Sequence, residues 1–185
     1  RSPYQKGFGG HFHNDNSLAV FRDIPGMVLA VPSNGRDAVA MLRECVRLAR
    51  EEQRLIVFVE PIALYMTRDL HGEGDGLWTS VYEAPGSGDD APIGTPRRHG
   101  DGSDLAIVTY GNGTYYSMQA QKLLKEQHGV EARVIDLRWL APLDPANIIA
   151  ELGDTRRVLI VDECRIDRKS TRLNSSHGYI SYAVF

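Results

Sequence analysis

No apolar run in the sequence approaches the roughly 20 residues that a bilayer-spanning helix requires, which sets aside a helical membrane protein. The opening RSPYQKGFGG lacks the charged start and apolar stretch of a secretory leader. It also lacks an initiator Met, so the sequence is expected to begin partway through a longer protein. Charge of one sign is scarce: 21 Lys and Arg stand against 24 Asp and Glu, with a net charge of -3 and a pI of about 6.1. The basic residues are scattered, with pairs at Arg97-Arg98 and Arg156-Arg157, so there is no footprint for nucleic acid. Cysteine is nearly absent. Cys45 and Cys164 both sit in apolar-periodic segments, which reads as buried, reduced thiols and a cytoplasmic setting. No repeat of about 20–50 residues occurs. The glycines between 72 and 76 have no following Lys-Ser/Thr, which excludes a P-loop there.

What is present is 185 residues, 42% apolar and 24% charged, enough for one large domain or one domain and part of another. Met27 to Val31 is a short apolar run closed by Pro32-Ser33, the pattern of a buried strand. Ser33 or Asn34 can cap the helix that follows, in which Ala38, Val39, Leu42, Cys45, Val46 and Ala49 recur every three or four residues. Leu55 to Val59 is a second buried strand. Strand, helix and strand with continuously apolar strands predict a βαβ unit in a parallel sheet. Residues 71–103 are rich in Gly, Pro and Asp and read as an irregular connection. Beyond them come strands over 104–110, 130–136 and 157–162, with helices over 114–127 and 145–152, a second α/β unit. Residues 169–185 break the rhythm and read as a non-native tail. The fold class is therefore α/β, with two parallel-sheet βαβ units divided near residues 95–103.

Several motifs bear on chemistry. His11 and His13 flank one residue, so in a strand both would face one side, as metal ligands can. No further cluster at ligand spacing supports a metal, although Asp15 lies nearby. A loop role and a proton-transfer role stay open beside it, because an imidazole titrates near neutrality. Gly111-Asn112-Gly113 follows a strand and opens a helix, and Asp136 ends the next strand, as in a dinucleotide fingerprint. Tyr116 stands where that fingerprint needs a small residue, which favours a structural turn. Asp144 and Pro145 suit a helix cap and first turn. Glu60 ends a parallel strand, on the edge where ligands tend to bind.

GGHFHNDNSLAVFRDIPGMVLAVPSN, with the spacing to Val59-Glu60-Pro61 and Leu64-Tyr65, resembles the thiamine-diphosphate enzymes. VTYGNGTYYSMQAQKLL, VIDLRWLAPLD and VLIVDE narrow the resemblance to one branch: the beta subunit, or beta half, of the decarboxylating component of 2-oxo acid dehydrogenases. The likeness covers about residues 2–168. It implies that 1–70 ends a transketolase-like pyrimidine-binding domain, that 71–103 connects, and that 104–168 is an incomplete transketolase C-terminal-type domain. It also implies oxidative decarboxylation of a 2-oxo acid, with acyl transfer to a lipoyl carrier. The implied cofactors are thiamine diphosphate and Mg2+, held largely by parts outside this chain. The implied partners are an alpha-type subunit or half and a lipoyl acyltransferase, in a dimer or heterotetramer. His13 matches the histidine of the family's H-S-Q-S run, here HNDN, and His11 a neighbouring histidine; both are the expected catalytic residues. The chain alone is expected to be inactive. A transketolase-like or deoxyxylulose-phosphate-synthase-like enzyme, a nucleotide-binding Rossmann module and a non-catalytic assembly domain are the alternatives.

Overall fold

The computed structural model describes residues 18–87 and 90–162, and the backbone of residues 181–183. Helix α1 (Leu18–Arg22) leads into strand β1 (Val28–Ala30), helix α2 (Gly35–Glu51) and strand β2 (Ile56–Phe58). β1 and β2 pair in parallel, with Leu29 opposite Val57. A 3-10 turn (Ile62–Leu64) follows, then a long stretch without regular elements. Strand β3 (Arg97–His99) leads to β4 (Leu105–Thr109), helix α3 (Asn112–His128), β5 (Ala132–Asp136), β6 (Trp139–Ala141), helix α4 (Pro145–Leu152) and β7 (Val158–Ile160). A last strand, β8 (Ser181–Ala183), lies antiparallel on β7.

The expected parallel pairs form, but each sheet also holds antiparallel members that periodicity did not reveal. The larger sheet runs β3-β5-β4-β7-β8, with β3 antiparallel to β5. The smaller runs β2-β1-β6, and β6 reaches it from the far side of residues 95–103 to pair antiparallel with β1. All three β1 residues are buried because both faces are covered. Val28 and Ala30 face the apolar stripe of α2, made by Ala40, Met41, Cys45 and Leu48. Leu29 and Val31 join Val59, Ala106, Val108, Ile135 and Leu140 in one core drawn from both strand sets. Side chains of this kind, fully buried, contribute about 1.5–3 kcal/mol each.

Helix ends follow their sequence signals. Asn34 Oδ1 accepts the Asp37 N–H at 2.9 Å and caps α2. Asp144 caps α4 with Pro145 in its first turn, as expected. α3 begins two residues earlier than its periodicity suggested. It ends at Gly129, whose φ of 64° is the left-handed geometry glycine adopts freely. Among the described residues no helix is long and apolar enough to cross a membrane.

Candidate functional site

Beyond the carboxyl ends of β1 and β2 lies a cavity of about 390 Å³. This is the edge of a parallel pair where ligands tend to sit, because the chain leaves the sheet there and loops diverge. Ser33, Asn34 and Gly35 at the start of α2 form one wall, and Glu60 and Pro61 after β2 form another. The segment 64–80 closes it with Tyr65, Arg68 and Trp78.

That far wall comes from the Gly- and Asp-rich stretch. Two carboxylates organise it by accepting backbone N–H groups. Asp75 takes those of Leu70, His71, Gly72 and Leu77 at 2.7–2.9 Å. Asp69 takes those of Gly74 and Gly76 at 2.8 Å. These bonds hold the Asp75 carboxyl well below the usual carboxylate range. The loop then docks on α3. Tyr115 donates its hydroxyl to the Asp69 carbonyl at 2.9 Å, Gln119 donates to that of Leu70 at 2.7 Å, and Trp78 packs edge-on against Tyr115.

The near wall is fixed by a buried ionic cluster. Asp37, in the first turn of α2, is fully buried. Its Oδ1 accepts from Arg97 Nε at 2.8 Å and from Arg138 Nη1 at 3.0 Å, and its Oδ2 from Asn34 Nδ2 at 2.8 Å. Arg138 also donates to the Thr95 carbonyl and hydroxyl and to the Pro96 carbonyl. Asp136, also fully buried, accepts from the Ser33 hydroxyl and from the Arg138 backbone N–H at 3.1 Å. Burial, reinforced by the Asp37 charge, pushes the Asp136 carboxyl up to about 7. Sequence reasoning missed this cluster. Its signal was present in VIDLRWL, where an acid and an arginine interrupt an otherwise apolar run.

Of the residues singled out beforehand, Glu60 lines the cavity and Asn34 caps α2 beside it. His11, His13, Asp15 and Cys164 lie outside the described residues. Cys45 is buried, as expected, and burial pushes its thiol up to about 11. Tyr116, which stands where the fingerprint needs a small residue, is 57% exposed, so the case for a structural turn rests on the glycines instead. The fingerprint fails at Asp136, which is sealed against Ser33 and Arg138 and presents no carboxylate to a ribose. Gly111 has a φ of 54°, and a Cβ at Gly113 would stand 2.0 Å from Thr109 Oγ1. Gly111 is therefore required by its backbone conformation and Gly113 by its close approach to the Thr109 side chain.

The described residues do not fit the diphosphate-metal end of thiamine diphosphate. Among them no group of three or more His, Cys, Asp or Glu is placed to hold a metal. The one helix N-terminus on the cavity is already satisfied by Asn34 and carries the Asp37 carboxylate, which opposes an anion.

Residues 94–167 match the family described as transketolase, C-terminal domain. The chain is 32% identical over 164 residues to the 2-oxoisovalerate dehydrogenase subunit beta of Bacillus subtilis, covering 88% of this chain and 45% of that protein. It is 29% identical over 164 residues to the mitochondrial 2-oxoisovalerate dehydrogenase subunit beta of Dictyostelium discoideum, covering 88% and 40%. It is 30% identical over 168 residues to the pyruvate dehydrogenase E1 component subunit beta of Bacillus subtilis, covering 89% and 46%. The chain thus spans less than half the length of each of these relatives. Among solved structures, a split-gene transketolase in an inactive beta4 tetramer superposes with a TM-score of 0.59 at 23% identity, over 85% of this chain and 46% of that one. That likeness speaks for the fold.

Proposed function

We propose that this chain, which belongs to the transketolase-like superfamily, is part of the beta subunit, or beta half, of a thiamine-diphosphate-dependent 2-oxo acid dehydrogenase. The whole enzyme decarboxylates a 2-oxo acid oxidatively and passes the acyl group to a lipoyl carrier. The observation that carries the reading is the match, across most of the chain, to beta subunits of both the 2-oxoisovalerate and the pyruvate enzymes. The pyrimidine-binding and C-terminal-type units, divided near residues 95–103, belong to the same reading. So do assembly with an alpha-type subunit or half into a heterotetramer, service by a lipoyl acyltransferase, and a cytoplasmic setting.

Thiamine diphosphate, when bound, supplies the electron sink for decarboxylation. Its Mg2+ and diphosphate are assigned to the partner half, in keeping with the donor set above. The part of this chain is to shape the 2-oxo acid end of the site and to manage protons. Ser33, Asn34 and Glu60 offer polar atoms to the cavity, and Phe58 and Trp78 exclude water from it. His13, supported by His11, is the proton donor for the lipoyl sulfur released as the dithiolane opens. In the full-length protein with its partner half, His13→Ala is expected to lower lipoyl-linked turnover at least about tenfold with the circular dichroism unchanged. Unchanged turnover would remove His13 from the reaction.

A further inference from the structure

We infer that Ser33 and Asp136 form one proton-holding pair in the cavity wall. With Asp136 protonated, Ser33 turns its hydroxyl hydrogen toward an acceptor oxygen of the ligand; with Asp136 ionised, Ser33 gives that hydrogen back to the carboxylate.

The geometry carries the argument. A hydroxyl has one hydrogen and two lone pairs. Ser33 Oγ accepts from Asn34 Nδ2 at 3.2 Å and donates to Asp136. Once Asp136 carries a proton it fills the second lone pair, and the Ser33 hydrogen is released. Ser33 lines the cavity, so a ligand there can take that hydrogen. One proton enters from solvent, and only O–H bonds form or break.

The surroundings explain why the proton belongs on Asp136. The Arg97 and Arg138 guanidinium groups hydrogen-bond to Asp37. Asp136 accepts from neutral donors, the Ser33 hydroxyl and the Arg138 N–H. Two buried carboxylates in one cluster favour holding one proton between them. The groups packed around Asp136 are Ser33 before α2, Asp37 on α2, Arg138 after β5, and Arg97 opposite it on β3, with His99 farther along that strand. Burial holds the His99 imidazole down, which keeps it neutral beside the pair. Asp136 is thus a positioning residue and Ser33 the ligand contact. The ligand class is a small molecule with a carbonyl or carboxylate oxygen, and that half of the inference rests on the 2-oxo acid reading of the cavity.

The test uses the full chain and 2-oxoisovalerate as probe. Infrared difference spectra between about pH 5.5 and 8.5 are expected to show a protonated carboxyl band that disappears on raising pH and is missing in Asp136→Asn. Ser33→Ala should raise its midpoint, because the carboxylate loses a donor. Probe binding is read from the fluorescence of Trp78, the cavity-lining one of the two tryptophans. Affinity should be at least about tenfold higher at the low end of that range. Asp136→Asn should hold this affinity at every pH, since its amide donates to Ser33 throughout, and Ser33→Ala should bind weakly throughout. The inference is overturned by an absent band, by a midpoint that Ser33→Ala leaves unmoved, or by wild-type pH dependence persisting in Asp136→Asn. If Asp136→Asn does not fold, the wild-type band and Ser33→Ala decide the matter. A band that titrates and responds to Ser33→Ala, with no probe binding at any pH, upholds the pair and refutes the 2-oxo acid reading of the cavity.

Discussion

Replacing Arg138 by Met keeps the unbranched stem of the side chain as far as the Nε position and removes its charge and donors. The guanidinium makes four hydrogen bonds, to Asp37, to the Thr95 carbonyl and hydroxyl, and to the Pro96 carbonyl. It is almost wholly buried, with 5% of the side chain exposed, so water cannot replace it. Asp37 would keep Arg97 but face a cluster with one positive charge fewer. Breaking a buried ion pair from one side costs about 3–5 kcal/mol, most of it the penalty on the charge left behind. Because Asp37 retains a partner, a loss of about 3 kcal/mol is expected. With a urea m-value of roughly 2 kcal/mol per M, the unfolding midpoint should fall by about 1.5 M at unchanged m. The assay is urea unfolding followed by circular dichroism, repeated for Asp37→Leu and for the double variant. The double variant should cost less than the sum by at least about 1 kcal/mol. A loss below about 1 kcal/mol for Arg138→Met, or strict additivity in the cycle, would refute the view that this cluster ties α2 to the β5–β6 turn.

Asp136 gives a pH signature whose sign is fixed. Its folded pKa is raised from 3.8 to about 7, so its contribution to stability is complete below pH 3.8 and is lost as pH rises through about 7; the wild type should lose stability relative to Asp136→Asn over that window in urea titrations. Gly113→Ala places a methyl 2.0 Å from Thr109 Oγ1 and should destabilise by at least about 2 kcal/mol, with part of the loss recovered by adding Thr109→Ala, as thermal unfolding would show. Cys45 is 5% exposed and its thiol is pushed up to about 11, so thiol reagents at pH 8 should modify it only at the rate of unfolding.

The parts of the fold legible in the sequence were those with a single cause. β1 and β4 are apolar runs buried almost throughout, β5 is buried along its length, β2 is an apolar run that is half-buried, and α2 and α4 carry their capping residues in plain view. β3 and β6 were illegible for the opposite reason. Arg97-Arg98-His99 is an edge strand whose pairing lies in its backbone, not in its side chains. Trp139-Leu140-Ala141 hides inside a segment that reads as a loop, because its partner lies more than a hundred residues away in β1. The site divides the same way. Glu60 was visible from the strand-end rule, and Asn34 from helix capping. Asp37 drew no reading from the sequence, and only the long-range meeting with Arg97 and Arg138 makes it a buried hub. The glycines from 72 to 76 read only as part of an irregular connection, whereas Asp69 and Asp75 collect six backbone N–H groups there and set the cavity's outer wall.

The antiparallel β6 on β1 has a practical corollary for protein engineering. A chimera joined at residues 95–103 would deprive the upstream half of its third strand and expose the β1 backbone as a sticky edge. Any graft that exchanges the downstream half must therefore carry a Trp139–Ala141 equivalent in matching register, or expect the recombinant to precipitate.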